Sequence, residues 1–261
     1  MNDSIRLFDT HCHFDFEPFR QHFSDELEAA KNQGVEKILI PSIGMKNWAE
    51  IQRLSIQHDE ISYALGFHPY FLNDYLIEDI DELERELQVS TTKCVAIGEC
   101  GLDFAIDIDP QQQEAFFIRQ IQLANLMKLP LILHCRKAHN RMIQLLKKHR
   151  PEKGGVLHGF SGSYQQAMNF VALGFYIGVG GVITYPRANK TRQAIACLPL
   201  TSLVLETDAP DMPINGCQGR ANHPKNVINI FDELVLIRKE TEQTVASQVW
   251  ENSHSLFAMC E

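Results

Sequence analysis

His11 and His13 flank Cys12 at the end of the first apolar run of the chain. Residues two apart on a strand face the same way, so both imidazoles aim at one spot and Cys12 faces the other way. Such a pair is suited to grip a divalent cation. Glu99, His134, His158 and Asp208 each close a later strand-like run. Each sits on a parity that can face inward: Glu99 follows Val95 and Ile97, His134 follows Ile132, His158 follows Val156, and Asp208 follows Glu206. Together these six side chains exceed the three or four that one cation with open positions needs, so two cations sharing a carboxylate is the economical reading. Glu99 is the natural bridge, because its two oxygens can hold cations about 3.5–4 Å apart. The mixed nitrogen and oxygen donors suit Zn, Mn, Mg or Co alike. A water held between two cations loses a proton near neutrality, and Asp208, a ligand with a spare oxygen, is placed to take it.

These residues need a scaffold that gathers the ends of distant strands. Apolar runs predict strands at Ile5–His11, Lys37–Ser42, Ile61–His68, Cys94–Glu99, Leu131–Cys135, Gly155–Gly159, Phe175–Gly180 and Ser202–Asp208. Amphipathic stretches near Ser24–Asn32, Asn47–Gln57, Ile80–Gln88, Gln111–Met127, Ala138–His149, Tyr164–Leu173 and Lys190–Cys197 predict the helices between them. Phe117, Ile121 and Ala124, for example, recur at helical spacing. Two more helices close the chain, one from Pro224 to about Lys239 and one opened by Thr241. Strict alternation predicts an α/β fold, a (β/α)8 TIM barrel with extra C-terminal helices, spanning residues 1–261 as one domain. A doubly wound open sheet is the competitor. It cannot easily converge side chains from strands 1, 4, 5, 6 and 8, as a barrel mouth does.

The formal net charge of −9 disfavours an extended nucleic-acid-binding face, but bound cations would reverse the sign locally. A compact contact with an end or a small substrate is therefore expected. Met1–Ser4 lacks a basic secretory head, and no apolar run is long enough to span a bilayer, so a cytoplasmic protein without a membrane partner is expected. Seven scattered cysteines without CxxC pairs point to reduced thiols. Cys12, Cys100 and Cys135 each adjoin a proposed ligand and are expected to pack between barrel and helices. No Gly-rich phosphate loop, nucleophile elbow or obligate protein partner is evident.

Seven segments resemble one family: Asp9-Thr10-His11-Cys12-His13, Gly66-Phe67-His68-Pro69, Gly98-Glu99-Cys100-Gly101-Leu102-Asp103, Pro130 to His134 with Arg136, His158-Gly159-Phe160-Ser161-Gly162, Glu206-Thr207-Asp208-Ala209-Pro210, and Glu251-Asn252. Over nearly the whole chain the sequence is similar to the TatD-type metal-dependent hydrolases and deoxyribonucleases of the amidohydrolase superfamily. The resemblance implies a TIM barrel and hydrolysis of a phosphodiester, often as a 3′ exonuclease. It implies that His11, His13, Glu99 and Asp208 hold one metal and Glu99, His134 and His158 the other. Two positions depart from the family pattern. Asn222-His223-Pro224 stands where Asn-Glu-Pro is usual, and Gly159 stands where Cys is usual. Both positions are expected to border the pocket.

On that reading a metal-bridging hydroxide attacks phosphorus, with Asp208 and Glu99 as the catalytic carboxylates and DNA or a small phosphodiester as substrate. His68 either contacts phosphate or caps the chain before Pro69. Arg136 offers paired N–H donors to a phosphate, or a salt bridge at the rim. Arg220 in the segment Ala209–His223, with Arg187 and Lys190, either receives further phosphates or is solvated loop charge. Asp9 and Glu206 stand behind the ligands, where they could anchor imidazoles. The runner-up is a hydrolase of carbonyl esters or amides, such as an aminoacyl-tRNA deacylase. Many relatives with lysine where Glu99 stands act on amides or phosphotriesters, so Glu99 favours the phosphodiesterase. A metal-stabilised binding protein is the third reading, and dispersed, thiolate-free donors speak against it.

Overall fold

In the computed structural model, which describes residues 5–257, eight parallel strands run in order around one sheet. The Met1–Ser4 segment and the last cysteine, Cys260, lie outside the described residues. The strands are β1 Leu7–Asp9, β2 Val35–Pro41, β3 Ile61–Leu65, β4 Cys94–Asp103, β5 Leu131–Arg136, β6 Gly155–Leu157, β7 Phe175–Val179 and β8 Leu203–Leu205. The first and last strands meet through Thr10, whose N–H donates to the Leu205 carbonyl at 2.9 Å, and through Asp208, whose N–H donates to the His11 carbonyl at 2.8 Å. The sheet is thereby closed, and the fold is a (β/α)8 barrel.

Its lumen is filled by Phe8, Leu39, Ala64, Val95, Ala96, Ile132, Val156 and Val204, with Tyr176 partly buried beside them, so every strand contributes. A second, larger apolar layer joins the strands to the surrounding helices α1 Phe23–Lys31, α2 Met45–Gln57, α3 Ile80–Val89, α4 Pro110–Met127, α5 His139–His149, α6 Tyr164–Val171, α7 Asn189–Cys197 and α8 Val227–Ile237. Local chemistry starts these helices where the sequence requires. Asp109 accepts from Gln111 N–H with Pro110 in the first turn of α4, and Ser163 with Gln166 forms a capping box for α6. The predicted helix from Pro224 begins instead as a 3-10 turn, Pro224–Asn226, before α8. Cys12 and Cys100 are buried in the outer apolar layer, with Cys135 partly buried against it, and the described cysteines are all free thiols.

The extra helix, α9 Glu242–Leu256, closes the N-terminal end of the barrel. Trp250, Leu256 and Phe257 enter the lumen cluster, and the Arg6 guanidinium lies 4.6 Å over the Trp250 ring. Asn252, buried, donates to the carbonyls of Leu200 at 2.8 Å and Leu203 at 2.7 Å, tying α9 to the start of β8. Replacing Asn252 with alanine strands both carbonyls, and each unmade buried partner costs about 1–3 kcal/mol. A lowered urea midpoint with an unchanged slope is the expected outcome. Among the described residues no helix is long and apolar enough to cross a membrane.

Candidate metal centre

The six predicted ligands lie together at the C-terminal mouth of the barrel, mostly just beyond the strands that were expected to carry them. His11 and His13 follow β1, His158 follows β6 and Asp208 follows β8, so those strands are shorter than the apolar runs implied. Three backbone groups hold the β1 and β8 ends together: the two contacts that close the barrel, and His13 N–H, which donates to the Ala209 carbonyl at 2.7 Å. Asp208 itself sits at φ +56°, the left-handed region, which turns its carboxylate back toward the two histidines.

Glu99 arrives by a different device. Ile97 pairs with Leu131 and Cys100 with Leu133, so β4 uses three steps where β5 uses two. This is a β-bulge at Gly98–Glu99, which re-aims a side chain. Ile97 packs outward among the helices while Val95 lies in the lumen, so the alternation expected to carry Val95, Ile97 and Glu99 on one face is broken. The bulge restores Glu99 to the interior.

The Glu99 carboxylate divides its oxygens between two groups of imidazoles. Oε2 faces His11 Nε2 at 3.2 Å and His13 Nε2 at 3.5 Å. Asp208 Oδ1 stands 3.4 Å from the same His11 nitrogen. Oε1 faces His158 Nε2 at 2.6 Å, His134 Nδ1 at 2.9 Å and His68 Nε2 at 3.1 Å. His158 also stacks on His11 with ring centroids 3.9 Å apart, which merges the groups into one cluster.

Hydrogen bonding separates the imidazoles chemically. His68 Nδ1 accepts from Tyr70 N–H at 3.0 Å, so in the neutral ring Nε2 carries the proton. His68 is therefore a donor facing the cluster, and its ring has no free lone pair for a cation. His134 is the reverse case. Its Nε2 lies 3.2 Å from Asp103 Oδ2, which fixes the proton there and leaves the Nδ1 lone pair toward Glu99. Asp103, the last residue of the motif Gly98–Asp103, thus orients a ligand imidazole, a role its motif alone does not give it. Its signal in the sequence is parity, since it lies four residues after Glu99 on the same strand. Replacing Asp103 with alanine is expected to lower cation affinity about 10–100-fold, read by calorimetric titration.

The supports expected of Asp9 and Glu206 take another form: neither bonds a ligand imidazole. Asp9 accepts from Thr207 N–H at 2.9 Å and from the Thr207 hydroxyl at 2.5 Å, clamping the loop that carries Asp208. Glu206 accepts from Gly159 N–H at 2.5 Å and presses on β7. A Cβ at Gly178 would lie 2.2 Å from its Oε2, so only glycine leaves it room. Burial lifts the Asp9 carboxyl to about 7 and the Glu206 carboxyl to about 8.

A cavity of about 470 Å³ opens beside the cluster. His134, His158 and Asp208 form one wall, Arg136, Lys137 and His139 another, and Phe160, Val182 and Met212 an apolar side. Gly159 also lines it, as expected. Arg220, exposed on the loop after β8, lies outside this lining. His223 does not border the cavity either. Its Nε2 pairs with Glu26 Oε2 of α1 at 2.8 Å and its ring lies edge-on to Phe19, so the imidazole ties α1 to the last loop.

Burial, then the charge of His158, pushes the His11 imidazole down to about 3, so it stays neutral with a lone pair to offer. His158 goes the other way: burial opposes its charge, but Glu99, Asp208 and Glu206 raise it to about 10. Burial likewise opposes ionisation of Glu99, yet His158, His68 and His11 hold its carboxyl well below the usual range. In the metal-free protein the His158 pairing stabilises the fold fully below pH 6.5 and is lost toward about 10. A cation must displace that proton. Its apparent affinity is therefore expected to rise about tenfold per pH unit through this window, with proton release seen calorimetrically in buffers of different ionisation enthalpy.

The donor set fits divalent cations. His11 Nε2 and Glu99 Oε2 are buried without a hydrogen-bond partner, although they approach each other closely. Among the described residues, the ion pairs of Glu99 and Asp208 are with histidines alone. Two overlapping sets have their ligand atoms within 4.8 Å: His11, His158 and Asp208; and His11, His13 and Glu99. His68, Glu99 and His134 lie equally close, but there His68 presents its N–H and only the other two can hold a cation.

A closed barrel with imidazoles and carboxylates gathered at its C-terminal mouth defines the class of metal-dependent barrel hydrolases. Within that class the chain belongs to the TatD family: the model for TatD related DNase matches residues 8–258. It is 45% identical over 254 residues to the uncharacterized metal-dependent hydrolase YjjV of Escherichia coli strain K12, covering 97% of this chain and 98% of that one. The crystal structure of YjjV superposes with a TM-score of 0.95 at 44% identity, over 98% of this chain and 99% of that chain. A 3′-5′ ssDNA/RNA exonuclease, TatD of Rahnella sp. strain Y9602, is 34% identical over 89% of this chain and 91% of its own length. The protein is a metal-dependent hydrolase of this family.

Proposed function

We propose that this hydrolase cleaves phosphodiester bonds of nucleic acid from a 3′ end, with two divalent cations sharing Glu99. The observation that carries this reading is the division of the Glu99 oxygens between His11 and His13 on one side and His134 and His158 on the other. When bound, the cations would lower the pKa of a water and neutralise phosphate oxygens. His11, His13 and Asp208 would hold the first cation with Glu99 Oε2, and His134 and His158 the second with Oε1.

Asp208 lines the cavity and has a second carboxylate oxygen to spare, so it orients the attacking water and takes its proton. His68 Nε2–H donates to a phosphate oxygen entering beside Glu99. Arg136, exposed at the cavity wall, offers its paired N–H donors to the phosphate, and Lys137 adds a second cationic side chain. The opening suits a strand end better than a long duplex, as the acidic net charge also implies. The named activity of the Rahnella relative agrees with this chemistry. Incubation of the metal-loaded protein with single-stranded DNA is expected to release mononucleotides from the 3′ end, and chelator is expected to stop it. Release of product from acyl esters alone would replace the phosphodiesterase with a carbonyl-ester hydrolase.

A further inference from the structure

Tyr70 is 58% exposed, an unusual position for a large aromatic ring one turn from a buried polar cluster. It is the second residue of the 3-10 helix Pro69–Asp74, which follows His68. Its backbone N–H is the group that bonds His68 Nδ1, so the point from which the ring projects is fixed relative to the cluster. Phe71, half-buried, lies edge-on to Tyr70 with centroids 5.3 Å apart and 5.7 Å from His68. The His68 ring in turn meets His134 at 4.5 Å. The helix is anchored from below, because Gln112 donates to the Leu72 carbonyl at 3.1 Å and Tyr75 is buried. A continuous row thus runs from an exposed aromatic face through His68 to His134 and on to the cationic wall at Arg136 and Lys137.

We infer that Tyr70, backed by Phe71, is a stacking platform for an unpaired nucleobase of the substrate, and so a specificity-determining residue. The inference rests on the phosphodiesterase reading above and deepens it. Two features of the molecule favour a nucleotide over an apolar partner. The exposed face is an aromatic ring that carries a polar hydroxyl, and beyond His134 the cavity is lined by Arg136, Lys137 and His139, which match a phosphate backbone. A base stacks on an aromatic ring whatever its identity, and an unpaired base can splay out to meet the ring, whereas a paired base is held in the duplex stack. The platform therefore selects single-stranded ends without reading their sequence. Phe71 acts as a positioning residue that sets the tilt of the Tyr70 ring.

The test compares two phosphorothioate oligomers of equal length, one of thymidine and one abasic, by fluorescence anisotropy with the metal-loaded protein. Both carry the same backbone charge, so their ratio reports stacking alone. Wild type is expected to prefer the thymidine oligomer about tenfold. Tyr70→Ala is expected to bring the two within about twofold, and Tyr70→Trp to retain the preference. No preference in wild type, or an undiminished preference in folded Tyr70→Ala, overturns the platform. Chelator-sensitive cleavage of a saturating thymidine oligomer with ordinary links, by wild type and Tyr70→Ala alike, tests the phosphodiesterase separately, because it does not depend on the stacking contact. Failure of that cleavage sinks the hydrolytic reading, while the binding ratio still decides the platform.

Discussion

Glu99→Gln is expected to cut kcat/KM on single-stranded DNA by about a thousandfold. Glutamine has nearly the same shape, so it leaves the bulge of β4 and the barrel undisturbed. It cannot offer two anionic oxygens, and its amide N–H2 must point at one of the two imidazole groups. A cation on that side meets a donor where it needs a lone pair. The loss of Lewis-acid stabilisation is worth several kcal/mol, which converts to about three powers of ten at roughly 1.4 kcal/mol per tenfold. Bound metal, measured by elemental analysis, is expected to fall in parallel. Circular dichroism is expected to match wild type. Near-native turnover with a full metal complement would remove Glu99 from the centre of the chemistry.

Asp208→Asn separates proton transfer from binding. Asparagine tolerates the left-handed backbone that Asp208 adopts at φ +56°, so the turn that closes the barrel mouth survives. Its side-chain oxygen still reaches toward His11, but the group can no longer accept a proton. General-base catalysis contributes about 10²–10⁴-fold, and kcat is expected to fall by that factor with KM little changed. Unchanged kcat would assign the proton to another group, of which Glu206, lifted by burial to about 8, is the nearest in sequence. The melting temperature is expected to move little.

The order of elements was legible because each strand of this barrel is a short apolar run between amphipathic helices. All eight runs correspond to observed strands. Their ends were not legible. At the mouth the backbone leaves the ladder, as at Gly159 (φ +59°) and Asp208, while the apolar pattern continues for several residues. Parity worked for His134 and His158, which follow the lumen residues Ile132 and Val156. It placed Glu99 inward, as the structure has it, but failed for Ile97. One register shift between Cys94 and Ala96 turns Ile97 outward and the bulge at Gly98–Glu99 turns Glu99 back, neither with any mark in the hydrophobic pattern. The division of labour among histidines was hidden too. Whether His68 offers a proton or a lone pair depends on the Tyr70 amide, and His134 depends on Asp103, neither of which spacing reveals. His223 looked like a pocket residue because it follows the long last loop, yet Glu26 of α1 captures it.

The most direct test of a shared Glu99 is an anomalous difference map from crystals of this protein soaked in manganese. Two peaks about 3.5–4 Å apart, one on each side of the Glu99 carboxylate, are the expected result. The peak nearer Oε2 should contact His11, His13 and Asp208, and the other should contact His134 and His158. A single peak that leaves His134 and His158 without metal, or no peak beside Glu99, would contradict the two-cation centre.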